Sequence, residues 1–445
     1  MNTSQTYLLA VGVGAIIGWG AFVLPEDLFF KSAGPIYTGV ALVISAFLIS
    51  FIGYSYRYIL KNTENKSITE AIYFNMGRKH LFSYCWIIIT SYSAIISLNI
   101  TAIGIVYRHF IGIEYSGNYL YTIFDWDIYE YEVLASVCVL LFFSVTNISK
   151  SQVSKQLQNI VAGTLCLSIV LLSIMLLSSD SSHLQKIYPV ANEGSISGML
   201  SIIAIAPWAF LGFELIPLAA KNSQLSGNRV YGLIVLALVV SACLYYIIAF
   251  SLSTIITWTE IQYIDKNWAL GFVVQKHLGS IGYIILGIAT LSSVLAGVNG
   301  FLASASNIVI QLIDFDLSPE KIVSKTSSMA NKLRCSVLLI TGLSLGSAFI
   351  GRNAVLVLVE IASIGIAISF MYICYLALKI AYIKKIRFEV YSIALLIAFG
   401  FFTLLFLPFS PSSIRLESFI IFSASSLFGI VSYIFIKRKS SHIGN

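Results

Sequence analysis

The sequence predicts an all-α polytopic membrane protein of twelve transmembrane helices: two five-helix sets, each opening on a broken helix, followed by two further helices. Three observations carry this prediction. The 445 residues are 58% hydrophobic and 11% charged, with a mean hydropathy of +0.88, a balance that no soluble globular domain sustains. Twelve apolar runs approach or exceed the roughly 20 residues that a spanning helix needs. Two of them, the first and the sixth, are interrupted by Gly and Pro at corresponding places in the two halves.

The runs fall at about 7–30, 35–60, 82–109, 131–147, 156–178, 197–219, 230–257, 281–312, 335–351, 353–378, 388–408 and 416–436. The first lacks a basic leader and a small-residue cleavage site, so it reads as a retained helix. It contains GAIIGWGAFVLP, Gly14 to Pro25, with Gly14, Gly18 and Gly20 close together. Backbone that leaves the helix at membrane depth must line a cavity or be buried in protein, so this stretch is either a binding site or a tight helix contact through small residues. After the second run, ITEAIYFNMG predicts a short surface helix between Asn62 and Lys79. The third run places Tyr92 and Asn99 on one face, two turns apart, where Asn99 meets either a substrate or a neighbouring helix. Acidic and aromatic residues fill Glu114 to Glu132 and predict an interfacial anchor. SKSQVSKQLQN, before the fifth run, predicts an amphipathic segment lying along the membrane.

The sixth run reads APWAFLGFELIPLA, Ala206 to Ala219, in which Pro207, Gly212 and Pro217 surround Glu214. A pair of such interrupted segments is the sequence pointer to an inverted-repeat transporter with its site near the midplane. This divides the chain into 1–180, 195–380 and 388–436. Of all Asp and Glu residues, only Glu214 and Glu360 lie inside spans and the others belong to loops or span ends; within a span an ionisable group costs on the order of 2.5–3.5 kcal/mol on insertion scales. Glu214 follows its break closely; a helix start favours its charge and burial opposes it. It either serves transport or bonds the unwound backbone of the first helix and holds the break together. Glu360, about 10 Å from the outer end of the tenth run, either titrates from outside or bonds a partner in the bundle.

Lys and Arg set the orientation. With the N-terminus inside, the cytoplasmic segments hold 20 of the 27, and the external loops hold Lys31, Arg108, Lys186, Lys266, Lys276, Arg352 and Arg415. Both termini are therefore expected in the cytoplasm. The net charge of +7 follows from this bias, and Lys437 to Lys439 read as a topology anchor rather than a nucleic-acid patch. The six Cys lie in or beside apolar runs without a CxxC pair, and the five His lack ligand spacing, so no metal, cofactor or hydrolytic centre is expected.

These residues resemble the amino acid/polyamine/organocation (APC) superfamily of permeases over essentially the full length. The resemblance rests on GAIIGWGAFVLP followed by AGP at Ala33 to Pro35, on PWAFLGFE, and on VNGFLASASN with the later DFDLSP. It implies a five-plus-five inverted repeat with two added helices and an amino acid held between the broken first and sixth helices. By motif, the amides of Trp19 and Gly20 take the α-carboxylate and the carbonyls of Ile16, Trp208 and Leu211 take the α-ammonium. Trp208 is the gating aromatic, Gly18 and Gly212 are the breaks, and Phe301 and Asn99 flank the substrate side chain. The sequence departs from the family in several places. Trp19 replaces a small residue, Ser306 and Asn307 replace a Ser-Arg pair, and AAKNSQ lacks an acidic residue and a proline. The neighbourhood of Thr164 and Leu165 lacks the lysine of some proton-coupled relatives.

The expected function is alternating-access transport of an amino acid, neutral or moderately apolar, across the plasma (inner) membrane, with proton or sodium coupling left open and no enzymatic activity. Exchange of a cationic amino acid for its amine, with Glu214 near the ammonium, is the alternative within the class. A channel or a non-transporting sensor on the same scaffold is the alternative outside it.

Overall fold

The computed structural model describes residues 3–24, 29, 33–62, 67–123, 125–149, 151–179, 196–223, 225–255, 268–318, 326–351 and 354–442. Pro25, Pro319, His183 and Lys31, Lys66, Lys150, Lys186, Lys266, Lys321, Lys325 and Arg352 lie outside them, as do the side chains of Arg438, Lys439 and His442.

Among the described residues, each apolar run contains helix. The elements are α1 (Thr3–Ile17), α2 (Gly34–Asn62), α3 (Ile68–Met76), α4 (Arg78–Ile111), α5 (Glu130–Ser149), α6 (Ser151–Ser179), α7 (Ile196–Ala204), α8 (Ala206–Ala209) and α9 (Leu215–Ala219). They continue with α10 (Gly227–Ser253), α11 (Ala269–Asp314), α12 (Met329–Leu345), α13 (Val355–Ile383), α14 (Glu389–Leu404) and α15 (Leu416–His442). Among the described residues, nine helices are long and apolar enough to cross a membrane; α1 and α14 are apolar but shorter. The sixth run is divided among α7, α8 and α9. In α11, Gly279 leaves helical geometry (φ 62°, ψ −157°) and turns a corner that an L-residue resists, so the apolar run expected from 281 begins just beyond it.

The packing has a repeating logic. The third run, α4, lies on the tenth, α13, and the eighth, α11, lies on the fifth, α6. In the same way α1 packs on α10, and α7 packs on α2. Each pair maps onto the other when run n is exchanged for run n plus five. Helix α1 is held among α6, α10 and α11, which places its C-terminal end deep in the bundle.

One expectation about connections changes, and one connection gains detail. Helix α3 forms, started by a capping box between Ser67 and Glu70, but Ile68, Thr69, Ala71 and Ile72 are buried, and Thr69 donates to Gln311 of α11. It is therefore part of the packed body rather than a surface helix. The acidic and aromatic segment expected as an interfacial anchor contains a β-hairpin. Tyr119–Ile123 (β1) pairs antiparallel with Trp126–Tyr129 (β2), with a turn at Asp125 (φ 58°). Alternating side chains around a short turn select a hairpin. Arg108 fastens it, bonding both Glu132 oxygens (2.6 and 2.7 Å) and lying 4.3 Å over the Trp126 ring.

Candidate functional site

The first break is made by Gly18. Helix α1 ends at Ile17, Gly18 takes φ 39° and ψ −155°, and one 3₁₀ turn, Trp19–Phe22, follows. Only glycine reaches this backbone geometry without strain. Because the turn is so short, its N–H groups act individually rather than through a helix dipole. The last carbonyls of α1 are tied down by Tyr245 of α10, whose hydroxyl donates to Ile16 O at 2.9 Å and Ile17 O at 3.2 Å.

The second break is made by Gly212 (φ 120°). Around it the chain replaces α-helical bonds by tight turns, with Leu211 N donating to Trp208 O at 3.1 Å and Leu215 N to Gly212 O at 3.1 Å. Glu214 closes the turn: its Oε2 accepts from Gly212 N at 2.9 Å and its Oε1 from the Tyr92 hydroxyl at 3.5 Å. It is fully buried behind the break, and the backbone that it holds is that of its own helix, not that of the first.

The two breaks touch. A Cβ added to Gly212 would fall 2.6 Å from Ala15 Cβ, 2.8 Å from Ala15 C and 2.8 Å from Ile16 N. Residues 197 positions apart are thus in backbone contact, which requires the missing side chain at Gly212.

Beside this contact lies a cavity of about 370 Å³. From the first break it is lined by Ile16, Gly18, Trp19 and Gly20, and from the second by Trp208 and Leu211. Asn99 of α4, Phe301 of α11 and Glu360 of α13 complete the residues expected there. Gly212 and Glu214 do not line it. Trp208 is half-buried at its edge, while Phe301 is buried and meets Tyr92 edge-on at 5.1 Å. Asn99 is 3% exposed; its Nδ2 donates to Ile95 O at 2.8 Å, which directs the amide, and its Oδ1 is buried without a hydrogen-bond partner. A buried acceptor without a partner calls for a physical explanation. Glu360 is the one charged side chain among the described lining residues, and it is already paired: Arg415 Nε donates to its Oε1 at 3.0 Å and Arg415 N to its Oε2 at 3.0 Å, with Ser418 completing the set.

Residues 3–433 match the family described as amino acid permease. The chain belongs to the amino acid permease family. No curated protein matches it. Membership makes this an integral multi-pass membrane protein of amino acid transport, in agreement with the resemblance read from the two interrupted runs.

Three features of this permease escaped the sequence reading. Tyr245 is one tyrosine of many in an apolar run, and nothing local marks it as the brace of a break. Trp268 stacks on Trp19 (centroids 5.9 Å apart, planes at 26°) and donates from Nε1 to Phe22 O at 3.1 Å, so the bulky residue between the glycines is clipped to a distant segment. The segment expected to lie along the membrane is instead the first turns of α6. There Ser154 and Gln158 are buried, Ser154 Oγ donates to Asn299 Oδ1 at 2.8 Å, Asn299 Nδ2 to Gln158 Oε1 at 2.9 Å, and Gln158 Nε2 to Ala10 O at 3.3 Å. This neutral network ties α1 to α6 and α11.

Proposed function

We propose that the permease is a secondary transporter that moves a neutral or moderately apolar amino acid by alternating access, with its site in the cavity between the two breaks. The observation that carries the reading is the backbone contact of Gly212 with Ala15 and Ile16 beside a cavity whose only charged lining side chain, among the described residues, is neutralised by Arg415. A cationic or anionic substrate side chain would have no free counter-charge there, and burial of an unpaired charge is costly.

In this reading the N–H groups of Trp19 and Gly20 receive the α-carboxylate, since the first amides of a turn have no partner within it. The α-ammonium donates to the free Asn99 Oδ1 and shares the carbonyls of Ile16, Trp208 and Leu211. Trp208 and Phe301 cover the side chain. Glu214 is a strut that holds its break without lining the cavity, whereas Tyr245 both ties down the last carbonyls of α1 and lines the cavity wall. The exchange of helix contacts between runs n and n plus five supports two inverted five-helix repeats, 1–180 and 195–380, plus the two helices of 388–436. The twelve apolar runs would cross a plasma (inner) membrane, and the charge distribution supports both termini in the cytoplasm.

Thermal denaturation of the purified protein against a panel of ligands tests the site. A ligand at 100 times its Kd adds about 2.7 kcal/mol of stability. Neutral amino acids should raise Tm, and Asn99→Ala should cut the rise to about half or less. A rise with arginine or an amine and none with any neutral amino acid would overturn the assignment.

A further inference from the structure

A second, larger cavity lies away from the central one, on the flank of the bundle between α4, α13 and α15. Its volume is about 750 Å³, and its walls are apolar and aromatic, including Phe82 and Trp86 of α4, Tyr372 of α13 and Tyr433 of α15. Lys79 and Lys437 line it as well, both exposed. Neither forms an ion pair with another described residue.

The two ammonium groups are at the same end. Helices α4 and α15 run antiparallel along the groove, as successive contacts establish. Thr90 Oγ1 meets Ser425 Oγ at 3.0 Å, Trp86 Nε1 donates to Ser425 O at 2.9 Å, and the Phe82 and Tyr433 rings lie 5.2 Å apart. Moving down α4 from 90 to 82 therefore moves up α15 from 425 to 433, and one further turn brings Lys79 level with Lys437. From Ile87 to Lys79 the apolar trough extends about 12 Å at 1.5 Å per residue. The first N–H groups of α4, which no side chain caps, also point out of the basic end. The Lys and Arg distribution assigns this end to the cytoplasmic side, and Arg438 and Lys439 follow immediately in sequence.

We infer that this groove is a binding site for one anionic glycerophospholipid, its acyl chain along Trp86, Phe82 and Tyr433 and its phosphate between Lys79 and Lys437. Charge complementarity selects the occupant. A trough that is apolar along its length and doubly positive at the membrane surface fits a lipid with a net negative headgroup, whereas a free anion leaves the trough empty and a zwitterionic lipid brings its own cation against the lysines. The juxtaposed lysines hold the headgroup at the depth where basic side chains meet the anionic leaflet. A lipid seated there bridges α15 to α4 and α13, which matters for a helix that is otherwise little buried.

Native mass spectrometry of the full-length protein, incubated with phosphatidylglycerol or phosphatidylcholine of identical chains, tests this directly. Each lysine near an anionic headgroup contributes about fivefold, so the preference for phosphatidylglycerol should be roughly thirtyfold and should vanish in Lys79→Ala with Lys437→Ala. The double exchange to Arg should keep it, and Ile430→Trp, which fills the trough from an exposed position, should weaken binding of phosphatidylglycerol. Inorganic phosphate should not displace the lipid. Equal retention of the two lipids, an unchanged preference in the double Ala variant, or displacement by phosphate would each overturn the assignment.

Discussion

Gly212→Ala is the sharpest perturbation of the contact between the breaks. The new methyl would fall 2.6–2.8 Å from Ala15 Cβ, Ala15 C and Ile16 N. Ordinary van der Waals contact begins near 3.4 Å, so the two backbones must part by about 0.6–0.8 Å, and two of the three atoms are main chain that no rotamer change can move. Overpacking of this kind costs roughly 1–3 kcal/mol. The positive φ of 120° adds roughly 1–3 kcal/mol for a residue with a Cβ. A separation approaching 1 Å between groups that must converge on one ligand reduces turnover by up to about a hundredfold in related positioning problems. The expected outcome is a Tm several degrees lower and uptake of a labelled amino acid into proteoliposomes reduced at least about tenfold, with normal membrane insertion. Gly163→Ala, where an added Cβ meets nothing within 4 Å, is the control and should transport normally. Normal flux and an unchanged Tm for Gly212→Ala would refute the backbone contact as the organising feature of the site.

Other expectations separate struts from ligand contacts. Glu214→Ala leaves Gly212 N–H and the Tyr92 hydroxyl without their acceptor and should cost about 1–3 kcal/mol of stability, read from chemical or thermal unfolding, while Glu214→Gln keeps an acceptor and should cost less; equal stability of the Ala variant and wild type would contradict the strut. Asn99→Ala should weaken amino acid binding by about tenfold to a hundredfold, as expected for loss of a hydrogen bond to a charged group, with little change in Tm without ligand; unchanged affinity would remove Asn99 from the site. Trp268→Ala removes an aromatic contact worth about 0.5–1.5 kcal/mol and frees Trp19, so competition assays should show larger neutral side chains gaining on smaller ones; an unaltered ranking would deny Trp19 a part in specificity. Tyr245→Phe unties Ile16 O and Ile17 O and should lower flux more than it lowers Tm.

The site was legible where the local sequence violates what a bilayer demands of the backbone. Gly18 and Gly212 in apolar runs announce unwound chain, and a carboxylate at Glu214 within an apolar run announces a buried polar role, so both breaks and the parts of the cavity wall beside them could be named in advance, whereas the wall contributed by residues such as Val355, Leu405 and Ile414 could not. The role of Glu214 could not, because charge and burial push in opposite directions and only the position of Gly212 N shows which backbone the carboxylate holds. Tyr245 and Trp268 were invisible for another reason: their partners lie 229 and 246 residues away, and neither residue type is unusual in its run. Ser154 and Gln158 were read as the polar face of a surface segment, since amphipathic periodicity does not distinguish a face turned to water from one turned to a buried amide network. The hairpin of Tyr119–Tyr129 was hidden by its aromatic content, which suits an interfacial anchor and a β-ribbon equally.

The central claim is that an amino acid enters the cavity between the two breaks and leaves on the other side of the membrane. Counterflow measures this most directly. Liposomes containing the purified permease, loaded with one unlabelled neutral amino acid and diluted into a trace of the labelled compound, should accumulate label transiently above equilibrium, with and without imposed proton and sodium gradients. The account predicts such an overshoot for at least one neutral amino acid, and its loss in Gly212→Ala. No counterflow with any amino acid or amine would contradict it.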